Sequence, residues 1–308
     1  MSVKSYQVIA IGVAVAMAVI ASIIFLPGSN VSQTNLQQNP TSNHKIKVVA
    51  SFFPLYDFAR HIGGDRADAI AMVPIGAEPH DWEPTVQQVQ DMLSADVFVF
   101  NGAGIDKWAD RVDSKIKVNA SQGLQLLVDS AGQSDPHTWL DPIMAKHQIE
   151  LIRDGMIQAD PQNADYYTQN AKNYLAQIDS LNKNITDGLT NCKTHDFIAF
   201  HKAFSYFSNR YNLTQHSLLG EDPEGEIPPQ TLQQMIDLAK QNGIHVIYSE
   251  ELLDPRLANV VASSIPDGKN EVLSPIEGLK PDEQKAGWGY IDKMNMNLKN
   301  LREGLECQ

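Results

Sequence analysis

Short apolar runs, each followed by a helix-like stretch, recur in two series along the chain, and this alternation limits the possible folds more than any other feature. In the first series KIKVVASF, DAIAMVPIG and DVFVFNG read as strands. PLYDFARHIGG reads as a short helix with a glycine stop, and Thr85 to Leu93 as another, with Thr85 and Gln88 set like a capping box. A second series starts after Cys192, where DFIAF, LTQHSLL, IHVIYSE and EVLSP are strands separated by helices such as Pro229 to Gln241 and Pro255 to Ser263. Strands that alternate with helices form parallel sheets covered by helices, so the expected fold is α/β with two parallel-sheet lobes. No repeat of solenoid length is visible.

Between the two series, Asp141 and Pro142 have the character of an N-cap and first helical residue, and Pro161 restarts a longer helix running to about Leu189. Along it Tyr166, Tyr167, Asn170, Tyr174, Ile178, Leu181 and Ile185 mark one stripe at spacings of three and four. A helix of about 26 residues is about 39 Å long, enough to run down both lobes as a rigid strut. The organisation expected is an N-terminal lobe over 45–160, a connecting helix over 161–191 and a C-terminal lobe over 192–308.

Ahead of the lobes, Val8 to Leu26 is apolar apart from Ser22, preceded by Lys4 and ended by Pro27 and Gly28. Its length nearly spans a bilayer core, so residues 1–27 read first as an uncleaved membrane anchor and second as a cleaved secretory signal. Lys4 favours an orientation with the rest of the chain on the external face. The stretch 28–44, GSNVSQTNLQQNPTSNH, has no aromatic residue and reads as a flexible tether. Asn-x-Ser/Thr triplets at Asn30, Asn119, Asn184 and Asn212 are compatible with export.

Lys and Arg number 24 against 37 Asp and Glu, a net charge of −13 that argues against a nucleic-acid partner. Only two cysteines are present, Cys192 and Cys307, which excludes a Cys-rich zinc finger, an iron–sulfur cluster or a disulfide scaffold. In an exported chain this pair is expected to form one disulfide, with two buried thiols as the alternative. Chemistry is left to His, Asp and Glu.

Six of the nine histidines have an ordinary structural reading: His216 and His245 inside strands, His147 mid-helix, His61 and His195 flanking elements, and His44 in the tether. The other three share a kind of location. His80 lies in the loop after the second strand, His201 directly follows DFIAF, and His137 lies in QSDPHTWLDP just ahead of a helix. Loops at the carboxyl ends of parallel strands line the crevice of open α/β sheets. Glu277, in EVLSPIEGL, also follows a strand of the second lobe. Three imidazoles and one carboxylate form a nitrogen-rich tetrahedral set suited to zinc.

At these residues the chain resembles the metal-binding solute-binding proteins of zinc and manganese ATP-binding-cassette importers. The segments that carry the resemblance are VVASFFPLYDFARHIGGDRA, PIGAEPHDWEPTVQQVQDMLSADVFVFNGAGID, SDPHTWLDP, FIAFHKAFSYFSNRYNL, IYSEELLDPRLA, VLSPIEGL and the tail GYIDKMNMNLKNLREGL, in family order. The resemblance implies metal ligands at His80, His137, His201 and Glu277, in a cleft between two α/β lobes joined by one long rigid helix. Many zinc members insert a His-rich loop before the second ligand, whereas AGQSDPHTW runs straight through, and GEDPEGEIPPQTL, with Glu226, only loosely follows the family's Glu-Pro-Ser turn.

The function so implied is capture of a zinc ion on the outer face of the cytoplasmic membrane and its delivery to an ABC permease and its ATPase, by a monomer that is not an enzyme. Two alternatives remain open. Manganese members resemble zinc members but offer a carboxylate where His201 stands. In a different class, a zinc hydrolase would use the three histidines as ligands and Glu277 as a base on bound water.

Overall fold

The computed structural model describes residues 45–129, 132–223 and 225–308. The expected anchor over 1–27 and tether over 28–44 lie outside the described residues. Among the described residues no helix is long and apolar enough to cross a membrane.

The first sheet is built from β1 (Ile46–Ala50), β2 (Ala67–Ala71), β3 (Val97–Phe100) and β4 (Lys117–Asn119), all parallel, in the order β2-β1-β3-β4. β1 and β3 are central and almost wholly apolar because both of their faces are covered. Edge strand β4, KVN, is too short and polar to have stood out in the sequence. α1 (Phe53–Gly63) follows β1, and its Pro54 occupies the first turn, where a missing N–H removes no helical hydrogen bond. α2 (Val86–Leu93) opens on the expected capping box, with Gln88 N donating to Thr85 Oγ1.

The second sheet repeats the plan. β5 (Asp196–Ala199), β6 (Thr214–Ser217), β7 (Val246–Ser249) and β8 (Lys269–Val272) are parallel, in the order β6-β5-β7-β8. They alternate with α5 (Ser205–Tyr211), α6 (Pro229–Asn242) and α7 (Arg256–Ser263), and the chain closes with α8 (Pro281–Lys285) and α9 (Tyr290–Gly304). β8 ends at Val272, earlier than EVLSP implies, which leaves Leu273–Glu277 as a buried loop. His61 lies within α1 and His245 one residue ahead of β7, each shifted slightly from its sequence reading.

Two helices connect the sheets. Asp141 caps α3 (Pro142–Ala159), its side chain accepting from Ile143 N at 2.8 Å. Pro161–Asn163 forms a 3-10 turn, so the long helix α4 (Ala164–Gly188) starts three residues after the proline. Its buried face is Tyr167, Ala171, Tyr174, Ile178, Leu181 and Ile185. α4 packs on α1 and α3 on one side of the molecule and on α9 on the other. A single apolar cluster therefore runs from Val48 and Phe58 through α4 to Phe197, Tyr248 and Met294.

Asp57 of α1 adds a polar tie to this apolar contact. Its Oδ2 accepts from Tyr174 Oη at 3.1 Å and from Tyr290 N at 3.0 Å, so a first-lobe carboxylate serves the N-terminus of α9, whose own cap position is Gly289.

Cys192 and Cys307 form the expected disulfide, joining the segment after α4 to the chain end across a separation of 115 residues. Closing so long a loop removes much of the unfolded chain's freedom. Urea unfolding of the Cys192→Ala/Cys307→Ala variant is expected to give a stability about 3 to 5 kcal/mol below that of the native chain. An unchanged midpoint would show that the bond does not constrain the unfolded ensemble.

Candidate metal centre

The carboxyl ends of both sheets face one cleft, and each candidate residue stands just beyond one of them or beside it. His80 lies in the loop that leaves β2, His201 two residues beyond β5, and Glu277 beyond β8. His137 comes from the segment entering α3, at the start of the Thr138–Leu140 3-10 turn. Here the structure brings all four sequence-selected side chains together. One candidate ligand atom from each of His80, His137, His201 and Glu277 falls within 4.8 Å of the others.

The spacings match a small ion. Glu277 Oε1 lies 3.2 Å from both His80 Nε2 and His137 Nε2 and 3.9 Å from His201 Nε2, and the His137 and His201 Nε2 atoms are 3.1 Å apart. Zinc held at its usual bond lengths at the centre of a tetrahedron requires edges of about 3.3 Å. Calcium or magnesium would instead call for six or more oxygens. Glu277 Oε1 stands in the same shell as the imidazole nitrogens, and not at the further distance a base acting on metal-bound water needs.

Two carboxylates that the sequence reading passed over orient the rings. Asp135 Oδ1 accepts from His137 Nδ1 at 2.8 Å and from His137 N at 3.0 Å. Glu250 Oε1 accepts from His201 Nδ1 at 2.5 Å and from His201 N at 3.2 Å. With Nδ1 carrying the proton, each Nε2 lone pair is directed into the cluster. Both carboxylates had a usable signal: Asp135 stands two residues before His137, and Glu250 sits at the carboxyl end of β7, where the crevice rule applies.

Glu277 owes its aim to a strained turn. Ile276 has φ +61°, the left-handed region that a β-branched residue rarely enters and that costs about 1 to 3 kcal/mol. The surrounding loop is held on several sides. Asn297 of α9 donates to Ser274 O at 2.7 Å and accepts from Ser274 N at 2.8 Å, and Ile276 N donates to Ser274 Oγ at 3.0 Å. Behind the loop, Lys293 of α9 is fully buried and ion-paired with Glu251 at 2.7 Å and Glu283 at 3.0 Å.

Burial gives the cluster its electrostatics: His137 and His201 are 0% exposed and Glu277 1%. Burial alone would lower the pKa of His137, but its hydrogen bonds to Asp135 and Glu277 outweigh that, and it is pushed up to about 9. Burial likewise works to raise Glu277, yet the hydrogen bond from His137 and the nearby His80 and His201 hold it well below the usual carboxylate range. Glu277 Oε2 is buried without a hydrogen-bond partner. The cluster is thus poised for positive charge, supplied by a proton or by a metal cation.

Residues 48–304 match the family described as zinc-uptake complex component A, periplasmic. The high-affinity zinc uptake system protein ZnuA of Bacillus subtilis is 34% identical over 281 residues, which is 85% of this chain and 88% of that protein. The zinc-binding lipoprotein AdcA of Streptococcus pneumoniae is 31% identical over 84% of this chain, which spans 56% of its length. Among solved structures, the Zn(II)-bound ZnuA-like domain of Streptococcus pneumoniae AdcA superposes with a TM-score of 0.76 at 32% identity, covering 85% of this chain and 99% of that one. The metal-dependent lipoprotein YcdH of Bacillus subtilis gives a TM-score of 0.77 at 35% identity, covering 85% and 100%.

The pKa directions make the metal-free protein sensitive to pH from both sides. His137 is raised above its unfolded value near 6.5, so its contribution is complete below that pH and is lost as pH rises through about 9. Glu277 is depressed, so its contribution is complete above about 4.5 and is lost as acid reaches its folded value. Metal-free protein is expected to lose on the order of 3 kcal/mol between pH 6.5 and pH 10, and His137→Gln to flatten that slope. Denaturation midpoints across that range provide the check.

Proposed function

As the chain belongs to the zinc-uptake complex component A family, we propose that it captures zinc outside the cell and passes it to a membrane importer. The observation that carries this reading is the convergence of His80, His137, His201 and Glu277 at tetrahedral spacing. These four are the proposed ligands, and zinc is the cargo. Four protein ligands close the coordination shell and leave no position for an activated water, so the protein binds and releases its ion without chemical turnover.

The partners are an ABC permease and its ATPase, and the protein works as a monomer held at the outer face of the cytoplasmic membrane by residues 1–27. Names of relatives support this: one is a component of a zinc uptake system, another a zinc-binding lipoprotein. In the working organisation, lobes over 45–160 and 192–308 close on the ion and the helical segment 161–191 limits their swing.

Calorimetric titration of the full-length chain tests the core of the proposal. One zinc per chain is expected, with His80→Ala, His137→Ala and Glu277→Ala each weakening binding at least tenfold. A ligand must be unprotonated, and His137 holds its proton up to about pH 9, so zinc uptake at pH 7.5 is expected to release a proton and to tighten as pH rises toward that value. Absence of saturable zinc uptake by the native chain would end the proposal.

Metal choice is attributed to His201. Imidazole suits zinc, whereas manganese favours more oxygens and binds nitrogen sites more weakly. His201→Glu is expected to weaken zinc binding and narrow the gap to manganese. Competition between the two metals for native and variant protein reads the ratio directly, and an unchanged ratio would remove His201 from the selecting role.

A further inference from the structure

His137 and Glu277 stand on segments 140 residues apart by number, yet their ligand atoms lie 3.2 Å from each other. A covalent connection does not set that distance; hydrogen bonds between the segments do. Trp139, two residues after His137, is 0% exposed, and its indole Nε1 donates to Pro275 O, two residues before Glu277, at 2.7 Å. The carbonyl of Trp139 in turn accepts from Tyr290 Oη on α9 at 2.7 Å. The ring is fixed edge-on against Phe52 at 4.8 Å and tilted against His137 at 5.2 Å.

Resting on the zinc reading above, we propose that Trp139 is a positioning residue that holds the His137 to Glu277 edge at zinc's dimension and so enforces preference for zinc over ions that need longer bonds or more ligands. Pro275 precedes Ile276, the residue in left-handed backbone, so the carbonyl gripped by the indole belongs to the peptide leading into the strained turn. With that grip in place the turn cannot relax and draw Glu277 away from His137. Without it, the Pro275 carbonyl loses a buried donor, the turn gains freedom to settle, and the edge widens. A wider edge costs zinc its tetrahedral fit but admits further ligands, water included, around a manganese ion. The tie acts through geometry and leaves all four ligand side chains in place.

The test compares full-length native protein with Trp139→Phe, which keeps an aromatic ring but lacks the N–H, and with Tyr290→Phe, which loses only the hydroxyl that grips Trp139 from α9. Ile152→Val, a core truncation in α3, is the control for general loosening. Each is titrated with zinc and manganese in competition, and with cobalt(II) followed by visible absorption, which reports four-coordinate against higher-coordinate geometry. Trp139→Phe is expected to bind zinc roughly tenfold more weakly with manganese affinity unchanged or higher, and to lose intensity in the four-coordinate cobalt bands. Tyr290→Phe should shift both readouts in the same direction by less, and it decides the matter if Trp139→Phe does not fold. Ile152→Val should leave both unmoved. A native metal ratio and cobalt spectrum in the tie variants, or an equal shift in Ile152→Val, overturns the proposal. Failure of the zinc reading looks different, because the native chain itself would then not take up zinc.

Discussion

A carboxylate removed from water must find positive charge, and the burial of Glu277 organises much of what surrounds it. Within the protein its neighbours are imidazoles, which supply that charge only when protonated or joined by a cation. The same surroundings that keep Glu277 ionised therefore keep His137 protonated in the absence of metal. Proton and metal compete for one electrostatic vacancy, and the fold stabilises whichever fills it.

Holding that cluster requires rigid supports of different kinds. Parallel strands deliver His80, His201 and Glu277 to one crevice because their carboxyl ends point the same way within each sheet. Carboxylates Asp135 and Glu250 then fix ring orientation, and the Lys293 ion pairs with Glu251 and Glu283 anchor α9 behind the Glu277 loop. Left-handed Ile276 is tolerated because Asn297, Ser274 and Trp139 together over-determine the turn.

Legibility in the sequence followed the physics of each signal. Buried strands such as VVA and VFVF announced themselves by apolar density, and the Thr85 and Asp141 caps by local hydrogen-bonding chemistry, so these elements were readable without tertiary information. β4 was not, since a three-residue edge strand gains its identity from pairing with β3. The stretch EVLSP runs three residues past the end of β8 because Leu273 is buried in the loop and looks like strand. His80, His137, His201 and Glu277 could be selected by loop position and family resemblance. Glu250 is marked only by its place at the carboxyl end of β7, whereas Trp139 and Asn297 act through contacts made across the chain, and nothing local marks a residue whose partner lies so far along the sequence.

The apolar cluster shared by both sheets has a thermodynamic side. Val48, Tyr174 and Tyr248 belong to one continuous core that α4 carries across both sheets, while each sheet keeps a smaller apolar cluster of its own, around Val49 and Phe98 in the first and Ile198 and Ile247 in the second. An ion bound at the cleft is linked to that shared core through the native state it selects: at a thousandfold excess over its dissociation constant it would add about 4 kcal/mol to the stability of the folded chain. Occupancy becomes a property of the whole molecule, and a loaded chain differs from an empty one in how long it survives as well as in what it carries.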